Sequence, residues 1–250
     1  MSSQGQFVWY ELMTPDPPAA RGFYEGVIGW TSEDVGGGAY WTFNTDEGGV
    51  AGLVALAGDS MVTSPAWAGY VAVDDVDDYA GRFTAAGGTV IRPPAEIPGI
   101  GRSAMVTDPQ GAALVLFKAI RADGPPAHDA PGYPAWRELM AADGGKAMAF
   151  YERMFGWKNS ANFDMGPMGT YHLFAYDGDD RGGMMTKPEF IDHPYWGFYF
   201  RVEAIGAAAE RIKAGGGQIT NGPHQVPTGD WIVQAQDDQG AHFALISPTP

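Results

Sequence analysis

Two glutamates each lie two residues after a tryptophan, in two similar segments of the chain. Trp9 precedes Glu11 in WYELM, and Trp136 precedes Glu138 in WRELM. Side chains alternate along a strand, so the Trp and Glu of each pair face the same side of a sheet. An inward carboxylate could act as a general base or accept a hydrogen bond from a bound molecule. It could equally be a structural glutamate that accepts hydrogen bonds from backbone N–H groups or from an arginine.

Aromatic side chains are dense in the segments around these glutamates. They could line a cavity for a flat apolar or cationic molecule, or they could fill the core between modules. Phe23-Tyr24 and Phe150-Tyr151 lie on predicted helix faces and are expected in the core. The residues predicted to contact a ligand are Trp9, Trp136, Trp67, Trp196, Tyr40, Trp41, Tyr171 and His172.

The composition excludes several classes of protein. The net charge is −15, which opposes binding to nucleic acid or to anionic membrane surfaces. The chain has no cysteine, so disulfides, thiol nucleophiles and thiolate metal sites are ruled out. No apolar run is long enough to span a membrane, and the first residues do not form a signal peptide, so we expect a cytoplasmic protein.

An internal repeat determines the domain organisation. Residues 9–30 return at 136–157 with eleven of 22 positions identical, at a constant offset of 127. Trp67 and Trp196 are a further equivalent pair. A period of this length that occurs twice indicates two homologous domains. We predict a first domain at residues 1–120, a linker at 121–134 and a second domain at 135–250.

The order of predicted elements is the same throughout the chain. Phe7–Met13 alternates as a strand, Asp16 and Pro17 begin a helix that Gly29 ends, and three extended segments follow. The same series begins again at Gly69–Val73, and the second half repeats both series. The chain is therefore predicted to be an α+β protein with four βαβββ modules, whose sheets leave open, cup-shaped faces.

Three motifs carry a family resemblance that extends over essentially the whole chain. They are Asp16…Phe23-Tyr24…Gly29-Trp30, Val73-Asp74-Asp75-Val76-Asp77 and Asp108-Pro109-Gln110-Gly111. Together they resemble the vicinal oxygen chelate superfamily, which includes glyoxalase I, bleomycin-resistance proteins and extradiol dioxygenases. The resemblance implies two tandem glyoxalase/bleomycin-resistance-like domains.

The resemblance also implies a divalent metal held in each cup by His, Gln or Glu. Transferred to this sequence, the ligand positions fall on Trp9, Ala68 and Val115 in one half and on Trp136, Gly197 and Ala244 in the other. None of these side chains can ligate such an ion. We therefore expect no metal and no cofactor.

Three functions stay open at this point. The first is a binding protein that holds a small hydrophobic or aromatic molecule in its cups. The second is a glyoxalase/lyase- or hydroxylase-like enzyme that uses Glu11 or Glu138, or an unrecognised metal site. The third is a protein whose cups are filled by its own side chains. The expected partner is a small molecule, and the expected state is a monomer or a homodimer.

Overall fold

The computed structural model describes residues 3–56, 62–120 and 129–250. The part of the predicted linker at 121–128 lies outside the described residues. Within those ranges the chain forms strands and helices in the order β-α-β-β-β, four times over. The predicted α+β class and the four βαβββ modules are confirmed.

The first half contains two modules. The first consists of β1 (Phe7–Thr14), α1 (Pro17–Ile28), β2 (Thr31–Asp34), β3 (Tyr40–Thr45) and β4 (Gly48–Ala55). The second consists of β5 (Ala66–Ala72), α2 (Val76–Ala85), β6 (Thr89–Ile97), β7 (Gly101–Thr107) and β8 (Ala113–Ala119). Helix α1 begins as predicted, because the Asp16 side chain accepts a hydrogen bond from the backbone N of Ala19. It ends at Gly29, whose φ of 91° lies in the left-handed region that glycine favours.

The second half repeats this arrangement. Its first module consists of β9 (Pro134–Ala141), α3 (Gly144–Phe155), β10 (Lys158–Asp164), β11 (Thr170–Tyr176) and β12 (Asp179–Thr186). Its second consists of β13 (Tyr195–Arg201), α4 (Ile205–Ala214), β14 (Gln218–Gln225), β15 (Trp231–Gln236) and β16 (His242–Ser247).

The strands form two eight-stranded mixed sheets of identical topology. Their orders are β2-β3-β4-β1-β5-β8-β7-β6 and β10-β11-β12-β9-β13-β16-β15-β14. In each module the first strand pairs in parallel with the last, so β1 pairs with β4 and β9 with β12. The third strand of the module flanks the last one on its other side. Among the described residues, no helix has the length and apolar character needed to cross a membrane.

The chain forms two compact units, and each draws one module from each half. The first unit comprises the described residues of Met1–Val8, Ala68–Gly124 and Trp136–Trp196. The second comprises those of Trp9–Trp67, Pro125–Ala135 and Gly197–Pro250. The boundaries predicted from the repeat, at 120 and 135, delimit the two halves of the sequence, and as domain boundaries they stay a prediction.

A chain of three buried side chains joins the modules of the first unit. Trp196 Nε1 donates a hydrogen bond to Tyr151 Oη at 3.2 Å, and Tyr151 Oη donates to Asp108 Oδ2 at 3.1 Å. The other oxygen of Asp108 accepts from the backbone N atoms of Gln110 and Ala112. Burial raises the pKa of the Asp108 carboxyl, although these hydrogen bonds oppose the shift. The turn between β7 and β8 is thereby fixed to helix α3.

The second unit contains an equivalent chain. Trp67 Nε1 donates to Tyr24 Oη at 2.9 Å, and Tyr24 Oη donates to Asp237 Oδ2 at 3.1 Å. Tyr24 is fully buried, with its ring 5.3 Å from the rings of both Trp67 and Phe243. The prediction that Tyr24 belongs to the core is confirmed.

A glutamine in each Asp-x-Gln-Gly turn docks onto the partner module of its unit. The Gln239 amide accepts from the backbone N of Asp16 at 2.8 Å and donates to the backbone O of Asp16 at 2.9 Å. Gln110 makes the same two contacts with Asp143, at 2.6 and 3.0 Å. Each glutamine side-chain amide thus pairs with the backbone N–H and C=O of the aspartate that precedes α1 or α3, as a neighbouring strand would.

Candidate ligand-binding clusters

The two glutamates lie in two equivalent groups of side chains. The first cluster consists of Trp9, Glu11, Tyr40 and Gly52, and the second cluster consists of Trp136, Glu138, Tyr171 and Gly183. In each, the Trp and Glu come from the first strand of the module, the Tyr lies at the start of the third strand, as its first residue in β3 and its second in β11, and the Gly lies in the fourth. The first cluster belongs to the second compact unit, and the second cluster belongs to the first.

The strand order explains why each cluster contains a glycine. Strand β12 lies between β9 and β11, and Gly183 is the direct partner of Glu138. The Tyr171 side chain must therefore cross over β12 at Gly183 to reach Glu138. A Cβ atom on Gly183 would lie 2.1 Å from Tyr171 Cε1, much closer than van der Waals contact allows. In the first cluster, a Cβ on Gly52 would lie 1.9 Å from Tyr40 Oη.

Hydrogen bonds hold the second cluster together. Trp136 Nε1 donates to Tyr171 Oη at 2.9 Å, and Tyr171 Oη donates to Glu138 Oε1 at 2.9 Å. Glu138 is buried, with 9% of its surface exposed, whereas the Trp136 and Tyr171 side chains are half-buried. The arrangement places a carboxylate beneath two partly accessible aromatic rings.

The first cluster has the same connections. Trp9 Nε1 donates to Tyr40 Oη at 3.1 Å, and the Tyr40 hydroxyl is hydrogen-bonded to the Glu11 carboxylate. Glu11 is 7% exposed, while Trp9 and Tyr40 are half-buried. Two halves of the sequence that differ at many positions thus preserve the same hydrogen-bonded group.

The electrostatics keep the phenols protonated. Burial, and next the negative charge of Glu138, raise the pKa of Tyr171 well above its ordinary range. Burial and the charge of Glu11 act in the same way on the pKa of Tyr40. Each phenol therefore remains a hydrogen-bond donor to its glutamate at neutral pH. The carboxylates are thereby oriented as acceptors, and the same geometry is compatible with a proton-accepting role.

The positions implied for a metal do not suit one. The indole N–H groups of Trp9 and Trp136 are donors already directed at tyrosine oxygens, and indole nitrogen offers no lone pair to a metal. The other implied positions carry no donor atom in their side chains: Ala68, Val115, Gly197 and Ala244. In the part of the chain that the structure describes, no three His, Asp or Glu side chains come together as a metal-binding group. The residues present therefore do not fit the metal of the family.

Four of the predicted ligand-contacting residues lie outside the clusters. Trp67 and Trp196 are 7% and 4% exposed and belong to the buried chains with Tyr24 and Tyr151. Trp41 follows Tyr40 in β3 and is buried, so it points to the opposite face of the sheet. His172 follows Tyr171 in β11, so alternation also directs it to the opposite face, and its Nδ1 lies 2.6 Å from Asn162 Oδ1.

Sequence reasoning did not identify the two glycines or the buried Asp–Tyr–Trp chains. The repeat contained the signal for all of them, because each has a counterpart in the other half. Gly52 and Gly183 correspond at the same offset of 131 as Tyr40 and Tyr171. A residue present in both halves at corresponding positions was a candidate for a shared contact.

A depression of about 410 Å³ lies in the first unit, apart from the second cluster. Lys158, Tyr176 and Asp180 are among its lining residues, and no member of the cluster is. The lining residues carry charges of both signs, and none of them is a buried polar side chain directed into the depression. The depression therefore indicates no particular class of ligand.

The chain is similar over most of its length to a known protein family and to named relatives. The model of the "Glyoxalase/Bleomycin resistance protein/Dioxygenase superfamily" matches residues 6–116 and 134–245. CFP32 of Mycobacterium tuberculosis (strain CDC 1551 / Oshkosh), which bears a provisional glyoxylase name, is 32% identical over 252 residues, covering 99% of this chain and 96% of that protein. The "Anthracycline biosynthesis protein DnrV" of Streptomyces peucetius is 30% identical over 259 residues, covering 97% of this chain and 93% of DnrV.

Solved structures share the fold at low sequence identity. The Mn(II)-bound glyoxalase from Novosphingobium aromaticivorans superposes with a TM-score of 0.66 at 18% identity, covering 100% of this chain and 84% of that chain. The 2,2',3-trihydroxybiphenyl 1,2-dioxygenase from Sphingomonas wittichii strain RW1 superposes with a TM-score of 0.68 at 12% identity, covering 98% and 90%.

Proposed function

We propose a ligand-binding function for this chain, which belongs to the Glyoxalase/Bleomycin resistance protein/Dioxygenase superfamily. The ligand is a flat aromatic small molecule that carries a hydroxyl or another hydrogen-bond donor, and its binding requires no metal. The observation that carries the proposal is the Trp–Tyr–Glu hydrogen-bonded group, which occurs in both halves and whose Trp occupies the position where the family resemblance implies a metal ligand. A cytoplasmic location and a monomeric or homodimeric state belong to the same proposal.

The clusters offer two kinds of contact to such a molecule. The half-buried indole and phenol rings can stack on an aromatic ligand, and each aromatic pair contributes about 0.5–1.5 kcal/mol beyond burial of its area. The buried carboxylate can accept a hydrogen bond from a ligand hydroxyl, and hydrogen bonds to charged groups contribute about 1.5–3 kcal/mol. The net charge of −15 disfavours anionic ligands and leaves neutral or cationic ones.

The relatives support an aromatic ligand. DnrV is named for anthracycline biosynthesis, and anthracyclines contain a flat, hydroxylated ring system. A second relative from Streptomyces sp. strain C5 carries a name of the same kind at 30% identity. A molecule of this shape and polarity matches the stacking surfaces and the carboxylate of each cluster.

A second candidate function uses the same carboxylates for catalysis. Glu11 or Glu138 would remove a proton from a bound substrate, in a glyoxalase/lyase- or hydroxylase-like reaction. Two observations favour this alternative: the glyoxylase name of CFP32 and the burial of each carboxylate next to a protonated phenol. Consumption of the ligand by the wild-type protein, lost on substitution of both glutamates, would identify an enzyme. Unchanged recovery of the bound molecule would identify a binding protein.

The test uses 2,6-dihydroxyanthraquinone, whose separated hydroxyls cannot chelate a metal. Titration should quench tryptophan fluorescence, and calorimetry should report binding that a chelator leaves unchanged. The double variant Glu11→Gln/Glu138→Gln should bind roughly tenfold more weakly or worse, because the carboxylate charge is lost from both clusters.

The matched control removes two exposed carboxylates, in Glu33→Gln/Glu203→Gln, with the same change in net charge. It should bind as the wild type does. Trp9→Phe tests the stacking surface of the first cluster and should weaken binding, while the loss of the indole donor to Tyr40 lowers the melting temperature by only a few degrees. Equal affinity of the wild type and the double cluster variant would refute the proposed site.

A further inference from the structure

The two clusters differ at a position just before an equivalent pair of tryptophans. Trp67 and Trp196 are equivalent, and the residue before them is Ala66 in the first half but Tyr195 in the second. These residues begin the equivalent strands β5 and β13. The second half therefore has an additional phenol where the first half has a methyl group.

Tyr195 lies next to the second cluster. Strand β13 is the neighbour of β9, which carries Glu138. Trp196 points into the core towards Tyr151, so alternation directs Tyr195 to the opposite face of the sheet. Glu138 also faces away from the core side, because the next residue, Leu139, is fully buried.

The electrostatics agree with this placement. Burial, and next the negative charge of Glu138, raise the pKa of Tyr195 to about 12. The carboxylate charge therefore reaches this phenol, which stays protonated at neutral pH. Tyr195 is half-buried and belongs to the same compact unit as Trp136, Glu138 and Tyr171. A third tyrosine or tryptophan ring thus stands at the carboxylate in the second cluster, and its counterpart in the first cluster is only Ala66.

We propose that Tyr195 restricts the second cluster, so that the chain binds a flat aromatic ligand at the first cluster alone. This inference rests on the proposed function and assigns the specificity difference between the two halves to one residue pair. In the second half the Tyr195 ring occupies space that a ligand ring would need for stacking. In the first half, Ala66 leaves the corresponding space open to the ligand.

The test is the number of ligands bound per chain, measured by calorimetry with 2,6-dihydroxyanthraquinone. The wild type should bind one molecule. Tyr195→Ala should bind two, because the second cluster is opened. Tyr195→Phe should still bind one, since it keeps the ring and removes only the hydroxyl. Ala66→Tyr should bind at the first cluster about tenfold more weakly or worse, because the added ring overfills the site.

Exchanging the two residues gives the sharpest result. Ala66→Tyr/Tyr195→Ala should again bind one molecule, but its affinity should now depend on Glu138 and no longer on Glu11. Because this double variant gains a site, a folding defect cannot imitate the expected result. Two equal sites in the wild type would overturn the inference and leave the proposed function standing. Absence of binding in both the wild type and Tyr195→Ala would overturn both.

Discussion

A single methyl group on Gly183 should disrupt the second cluster. In Gly183→Ala the new Cβ would lie 2.1 Å from Tyr171 Cε1, whereas ordinary contact begins at 3.4 Å. The ring must therefore retreat by roughly 1.3 Å, because the backbone of β12 is held between two strands. If the ring retreats away from Trp136 and Glu138, a shift of that size lengthens both 2.9 Å contacts of Tyr171 Oη to roughly 4 Å, beyond bonding distance.

The magnitude follows from those two hydrogen bonds. The bond to the Glu138 carboxylate is worth about 1.5–3 kcal/mol and the bond from Trp136 about 1 kcal/mol, so Gly183→Ala should cost about 2.5–4 kcal/mol. In a chain of this size each kcal/mol lowers the melting temperature by about 2–4 °C, which gives a decrease of roughly 5–15 °C. Thermal unfolding followed by circular dichroism measures it.

The control and the refuting result use the same assay. Gly145→Ala adds a methyl group in the exposed first turn of α3, where the nearest atom would be 3.6 Å away, and it should leave the melting temperature equal or slightly higher. In the background Tyr171→Ala, the cost of Gly183→Ala should nearly vanish, because the clashing ring is gone. An equal cost in both backgrounds would refute the crossing of Tyr171 over Gly183 as the cause.

Two further predictions concern the buried chain of the first unit. Tyr151→Phe removes one hydroxyl and leaves Trp196 Nε1 and Asp108 Oδ2 without their partner. It should therefore lower the free energy of unfolding by about 2–4 kcal/mol in urea denaturation. A loss below about 0.5 kcal/mol would contradict a stabilising role for these three buried side chains. Burial raises the pKa of Asp108 above its usual 3.8, so burying the charged form costs stability. The contribution of Asp108 to the free energy of unfolding should therefore be greatest in acid. It should fall as the pH rises from 3.8 through the raised pKa of Asp108 in the folded protein. Asp108→Asn lacks this fall, so its stability relative to the wild type should improve across that window, and the exposed control Asp46→Asn should show no such trend.

The local elements could be predicted because their signals are local. Asp16 with Pro17 and the following Gly29 marked both ends of α1, and the structure places the helix at Pro17–Ile28. The alternation of Trp9 and Glu11 predicted a shared face, which both residues have through their contacts with Tyr40. Strand β6 continues through Pro93-Pro94 to Ile97, and its register with β7 shifts between Arg92 and Ala95, because the two prolines have no backbone N–H to donate.

The sequence by itself determined the duplication and the four βαβββ modules, since these depend on residue type and on spacing along the chain. It could not assign Trp9 and Trp67, two similar aromatic residues, to different roles. Only the tertiary structure directed Trp67 to the buried Tyr24 and Trp9 to Tyr40 at the accessible cluster. The physical reason is that a side chain's partners come from strands and helices distant in sequence. The strand order alone decides which tyrosine must cross which glycine to reach a glutamate.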